Sequence, residues 1–149
     1  MELSGKRVLI TGASRGIGRS LAVAFADVGA TVALVARDGA ALESLAAQVG
    51  GTAHPADLLV AEQRERLIHR VEDEVGAVDV LVNNAGLAHE GTLWDSTAAQ
   101  VDAQIQLNLT TPLELCRQAV PRMLRRGGGH LVNVASLARA FGRRFAAST

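Results

Sequence analysis

Short apolar runs rich in β-branched residues alternate along this chain with segments whose apolar positions recur every three or four residues. That alternation predicts βαβ units built around a parallel sheet. Residues 7–10 read as the first strand. The next segment spaces Ile17, Leu21, Phe25 and Val28 by four, four and three, which predicts a helix with those residues on its inward stripe. Gly29 supplies the stop. Residues 31–36 (TVALVA) read as a second strand. Asp38 is an N-cap for a helix carrying Leu42, Leu45 and Val49 on one face, and Gly50 ends it.

A short third strand is expected near residues 52–55, followed by a charged helix with Leu67, Ile68, Val71 and Val75 facing inward. Glu62–Arg66 and Arg70–Glu74 have the i,i+4 spacing of outward ion pairs, so the charge run reads as a solvated helix face. Residues 78–82 are almost continuously apolar, as a strand buried on both faces should be. A long helix is expected over about residues 108–126, with Pro112 and Pro121 interrupting its hydrogen-bond ladder. Residues 130–135 give a fifth strand. No repeat or linker divides residues 1–149, which read as one domain.

Composition narrows the class. Hydrophobic residues make up 48% of 149, far from a disordered chain, and fifteen basic residues cancel fifteen acidic ones. That balance argues against a nucleic-acid partner. No apolar run approaches the ~20 residues needed to span a bilayer, and the N-terminus lacks a signal peptide's long apolar core. One cysteine, Cys116, excludes an internal disulfide framework and reads as a structural thiol in a reducing compartment. A cytoplasmic location is the expectation.

The sharpest chemistry lies in Thr11-Gly12-Ala13-Ser14-Arg15-Gly16-Ile17-Gly18, between the first strand and the first helix. Gly12 allows a tight turn, while Gly16 and Gly18 let backbone approach a pyrophosphate and let the helix pack closely on the sheet. Exposed N–H groups and the positive helix end favour the anion. The second strand runs into Ala36 and Arg37, where a site preferring NAD(H) commonly has a carboxylate to accept from the ribose 2′-OH. A guanidinium there can pair with a 2′-phosphate instead, with Arg15 as a second cation. NADP(H) is therefore expected over NAD(H). The alternative for Arg37 is a solvated loop residue paired with Asp38 or Glu43.

The chain resembles the short-chain dehydrogenases/reductases. Thr11–Gly18 is similar to their TGxxxGxG motif, and Asn83-Asn84-Ala85-Gly86 to their NNAG motif. Asp57-Leu58 resembles the pair that contacts the adenine, and Asn108 their active-site asparagine. Val132-Asn133-Val134-Ala135-Ser136 resembles the strand ending in their catalytic serine. The resemblance implies an α/β fold of Rossmann type, a doubly wound parallel sheet with helices on both faces. It also implies cofactor contacts by Gly12, Ser14, Arg15, Gly16, Ile17, Gly18, Arg37, Asp57, Leu58, Asn84, Ala85 and Gly86, and catalytic roles for Ser136 and Asn108. The implied reaction is hydride transfer between cofactor and a small carbonyl or alcohol, in which the protein supplies an oriented proton and stabilises oxyanion charge.

In that family a tyrosine handles the proton and a lysine lowers its pKa. Their Tyr-x-x-x-Lys motif would begin at Ser148 or Thr149, but these 149 residues contain no tyrosine, and Lys6 is the only lysine. No serine or threonine hydroxyl substitutes for a phenol of pKa ~10. His54, His69, His89 and His130 are scattered without metal-ligand spacing and read as surface or structural residues, with His89 the one worth testing. Trp94 reads as a packing or loop-anchor residue. The expectation is a C-terminally truncated member, missing the last strands and helices and inactive alone. Alternatives are that the missing motif lies in a segment outside this sequence, that the chain is a non-catalytic nucleotide-binding or oligomerisation module, or that it does not fold. A bare fifth strand and uncovered Leu109, Leu113, Leu115 and Val120 predict homo-oligomers or association with full-length subunits. Residues 88–94 and 139–145 are expected to border the substrate, whose identity the sequence does not encode.

Overall fold

The computed structural model describes residues 2–89 and 93–135. Five parallel strands form one sheet: β1 (Arg7–Thr11), β2 (Thr31–Ala36), β3 (Thr52–Pro55), β4 (Val80–Asn83) and β5 (His130–Asn133). Their spatial order is β3-β2-β1-β4-β5. The chain winds outward from β1 to one edge, returns, and winds outward to the other. The reversal falls between β1 and β4, which pair Val8 with Val80 and Ile10 with Val82.

Side-chain alternation along the strands feeds two cores. On one face Leu9, Ala33, Val35 and Leu81 meet Leu67, Ile68 and Val71 of α4 (Leu67–Val75) and Leu115, Ala119 and Met123 of α6 (Thr111–Arg125). On the other, Val8, Ile10, Val32, Leu34, Val80 and Val82 meet Ala22 of α1 (Gly16–Asp27) and Leu42, Leu45 and Ala46 of α2 (Gly39–Val49). The doubly wound sheet with helices on both faces is thus observed. No helix among the described residues is long and apolar enough to cross a membrane.

The stops and caps work as the sequence predicts. Gly29, at φ +81°, closes α1 with Gly29 N–H donating to Ala26 and Ala30 N–H to Phe25, the paired bonds of a Schellman motif. Asp38 caps α2 by accepting from Ala41 N–H at 3.0 Å, and Gly50 ends it in the left-handed region.

Several expectations are corrected. Of the expected stripe of α1, Leu21 and Phe25 pack against the core, while Ile17 is 62% exposed and Val28 is exposed too, and the buried residues of the helix are Gly18 and Ala22. At Gly18 the helix lies too close to the Gly12 carbonyl and the Asn84 amide for any side chain. The charged helix is two pieces, α3 (Ala61–Glu65) and α4, and its polar face is not wholly solvated: Arg64 is buried at 4% exposure. Glu62–Arg66 is a solvated pair at 3.5 Å. Arg70 instead donates to the Pro55 carbonyl, and Glu74 lies 3.7 Å from His54.

The long helix expected over residues 108–126 is found as part of a π turn and α6, and a further helix precedes them. The unexpected α5 (Ala98–Ile105) has a Thr97–Gln100 capping box and runs into a π turn (Gln106–Thr110), then α6. Pro112 sits in the first turn of α6, directly after the π turn, and α6 continues through Pro121 to Arg125. Leu115 is fully buried, whereas Leu109 and Leu113 are exposed. Trp94 is 71% exposed in a 3₁₀ turn and so does not fill the core.

Candidate functional site

Because all strands are parallel, their carboxyl ends share one edge of the sheet, and the candidate site residues follow those ends. Gly12–Gly18 follow β1, Arg37 follows β2, Asp57-Leu58 follow β3 and Asn84–Gly86 follow β4. The β1 and β4 turns meet at the winding reversal, where open α/β sheets form a crevice.

The hydroxyl of Thr11 joins those two turns. It donates to the Val82 carbonyl at 3.3 Å and accepts from the N–H groups of Asn84 and Ala85, each at 3.0 Å. The Asn84 amide donates back to the carbonyls of Thr11 (2.9 Å) and Gly12 (3.2 Å). The contact is tight enough to exclude side chains. A Cβ on Gly12 would stand 2.8 Å from Ala85 Cα, and one on Gly18 would overlap the Gly12 carbonyl and the Asn84 amide.

Gly16 differs in kind. Its φ of +55° is left-handed, and a Cβ there would meet nothing within 4 Å. Arg15, the N-cap of α1, makes no side-chain cap bond, and the first turn holds no acidic residue. The opening N–H groups of α1 therefore face an open, electropositive crevice beside half-buried Ser14. Arg15 and Arg37 are both exposed, and neither makes an ion pair among the described residues. Asp38 is occupied in capping α2, so it does not hold Arg37. A glycine that leaves space and unshared helix N–H groups fit a pyrophosphate.

Beyond β3, the Asp57 carboxylate accepts from Leu59 N–H at 3.0 Å, and Asp57 N–H donates to Gln63 at 2.8 Å. The Leu58 side chain lies in the core at 4% exposure. Any ligand contact from Leu58 must come from its backbone.

Asn108 stands in the π turn. Its Oδ1 accepts from Leu87 N–H (2.9 Å) and its Nδ2 donates to the Leu87 carbonyl (2.7 Å). This two-bond clasp pins the loop leaving Gly86, whose own Cβ would lie 3.2 Å from Asn108 Oδ1. Asn83 donates to Asn133 Oδ1 at 2.9 Å and to the Cys116 sulfur at 3.4 Å, tying the ends of β4 and β5 together. Cys116 is only half-buried. Ser136 and residues 139–145 lie outside the described residues, as does part of 88–94.

His54 is buried in β3, with Nε2 at 2.9 Å from the Thr52 hydroxyl. Burial holds its pKa below the ordinary 6.5, against the opposing pull of Glu74 and with the help of Arg70. It is structural, on the edge strand. His69 is exposed and 2.7 Å from Asp73. Sequence reasoning left Thr11 out of the cofactor-site residues although it opens the glycine motif; its partners belong to a strand some seventy residues away. Arg64 was missed because a charge in a charged run gives no local sign of burial.

Comparison with known proteins adds family evidence. The sequence profile of the family described as short chain dehydrogenase matches residues 6–148. The chain is 41% identical over 141 residues to a ketoacyl reductase of a Nostoc species, covering 91% of this chain and 49% of that protein. It is 40% identical over 143 residues to a fatty acyl-CoA reductase of Mycobacterium tuberculosis, with the same two coverages. The crystal structure of a metagenomic short-chain oxidoreductase in complex with NADP superposes with a TM-score of 0.85 at 38% identity, over 93% of this chain and 65% of that one. A short-chain dehydrogenase from Streptomyces avermitilis gives 0.85 at 36% identity, over 91% and 50%. The chain spans about half the length of the two curated relatives.

Proposed function

The chain belongs to the short-chain dehydrogenase family, and on that premise we propose that it forms the cofactor-binding half of an oxidoreductase that uses NADP(H) on a small carbonyl or alcohol. The observation that carries this reading is the β1–β4 crevice, where Gly16 leaves space and the first N–H groups of α1 stand free beside Arg15. When bound, the nicotinamide supplies or takes up the hydride.

The chain's own residues divide the remaining work. Gly12, Ser14, Gly16, Ile17 and Gly18 form the cradle for the pyrophosphate: Gly16 leaves it space, Ile17 offers the backbone N–H of the first turn of α1, and Gly12 and Gly18 let the turn pack against Asn84 and Ala85. Arg15 and Arg37 hold the 2′-phosphate, and the Asp57-Leu58 turn faces the adenine. Asn84, Ala85 and Gly86 form the opposite wall, which Asn108 holds in place through Leu87. Ser136, which lies outside the described residues, donates to the substrate oxygen. A cytoplasmic setting suits this chemistry.

Arg37→Asp tests the cofactor assignment. Losing a charge-assisted contact and adding a repulsive carboxylate should weaken NADPH binding about 10- to 100-fold, while NADH changes little. Equal loss of both in a fluorescence titration overturns the preference.

A second reading is favoured by composition. These residues contain no tyrosine, and their only lysine, Lys6, precedes β1 at the opposite edge of the sheet. By themselves they bind nucleotide without turnover and associate with another chain, a second copy or a full-length subunit. Assaying aldehydes and ketones at the nicotinamide absorbance separates the two: turnover by the 149 residues alone removes the binding-module reading.

A further inference from the structure

Beneath the turn that follows β3 lies a polar network that none of the family motifs includes. Arg64, in the five-residue α3, is buried at 4% exposure, and its Nη1 donates to the Leu58 carbonyl at 2.7 Å. Its Nε is paired with the Glu114 carboxylate of α6. The Thr111 hydroxyl, also buried, shares its one proton between the Gln106 carbonyl at 2.8 Å and the same Leu58 carbonyl at 3.3 Å. Gln118 donates to the Arg64 carbonyl at 3.1 Å, and Gln63 accepts from Asp57 N–H at 2.8 Å.

Burying a guanidinium under so short a helix is a poor way to gain stability, since an apolar pair of similar volume commonly serves as well or better. What the ion pair supplies is direction. It fixes one carbonyl, and with it the Leu58–Leu59 peptide, whose N–H donates to the Asp57 carboxylate at 3.0 Å. Thr111 extends the same network to Gln106, the first residue of the π turn that holds Asn108. The adenine end and the Asn108 end of the crevice thus hang from one set of interior bonds.

We propose that Arg64, held by Glu114 and assisted by Thr111, is a positioning residue that sets the Asp57-Leu58 turn for the adenine end of the cofactor. The proposal rests on the nucleotide-binding reading above. Arg64 touches no ligand; it acts through the Leu58 carbonyl.

The test replaces the pair together, Arg64→Met with Glu114→Leu, so that no charge is left buried. Binding of adenosine 2′,5′-bisphosphate, which carries only the adenine half, is measured by calorimetry. Nicotinamide mononucleotide, the other half, is followed by ligand-observed NMR. The double variant should melt at or above the wild-type temperature yet bind the adenine probe roughly ten-fold more weakly, with the nicotinamide probe within about two-fold. Thr111→Val, which keeps shape and removes only the hydroxyl, should weaken the adenine probe about three-fold in the same selective way. Unchanged adenine binding, or equal weakening of both probes, in whichever variant folds overturns the proposal. A wild-type chain that binds neither probe nor NADPH overturns the nucleotide-binding reading first and this proposal with it.

Discussion

The hydroxyl of Thr11 donates once and accepts twice, so removing it leaves two backbone N–H groups without their acceptor. Thr11→Val should therefore cost about 1–3 kcal/mol in urea denaturation, since stranding a buried donor costs more than an ordinary hydrogen bond gains. Loss of NADPH affinity should accompany it, because the two walls of the crevice are joined there. Gly18→Ala should be as damaging, about 1–3 kcal/mol, because the new methyl meets backbone that cannot rotate away. Gly16→Ala meets no atom and costs only the left-handed strain of about 1–2 kcal/mol. Thermal melts of the two glycine variants, with and without NADPH, separate packing from ligand approach. At this scale the glycine spacing was legible, because a missing side chain is written in the sequence. The use made of Thr11, Asn84 and Arg64 was not, because each is defined by partners that only the winding of the sheet brings near.

At the scale of elements, strands and caps were read closely and helix faces less so. The stripe Ile17–Leu21–Phe25–Val28 has good helical period, and Leu21 and Phe25 pack on the core, yet α1 makes its deepest contacts through Gly18 and Ala22 while Ile17 and Val28 face out. Periodicity reports where apolar residues cluster, not how near the neighbouring layer lies. The segment around Asn108 failed for another reason: a π turn needs one extra residue per turn, which composition does not mark. The edge strand β3 carries a pH response. Above about 6.5, His54 is neutral in both folded and unfolded chains, and its contribution is undisturbed. As pH falls below that value the unfolded chain takes up the proton first, so stability declines until the buried ring also titrates. His54→Gln should flatten this acid limb. Denaturation midpoints at about pH 7.5 and about pH 5 should differ less in the variant than in the wild type; an unchanged difference would show that His54 does not carry it.

In the whole molecule, β1 and β4 are sandwiched between helices, whereas every residue of β5 is exposed. Leu131 and Val132 point to opposite faces, and both are exposed. An open apolar edge invites pairing with another chain, so sedimentation should reveal self-association at micromolar concentration, with Val132→Lys shifting the boundary toward monomer. A wild-type chain that sediments as a monomer counts against this. By itself the sequence determined the βαβ alternation, the glycine turn, the Asn83–Gly86 motif and thereby the family, because these depend on local period, backbone freedom and residues adjacent in the chain. Only the tertiary structure decided that Thr11 locks β1 to β4, that Asn108 spends its amide on Leu87, and that Arg64 is an interior residue beneath Leu58. Those outcomes follow from which elements the sheet order places side by side, and burial and hydrogen bonding between distant segments exist only once that order is set.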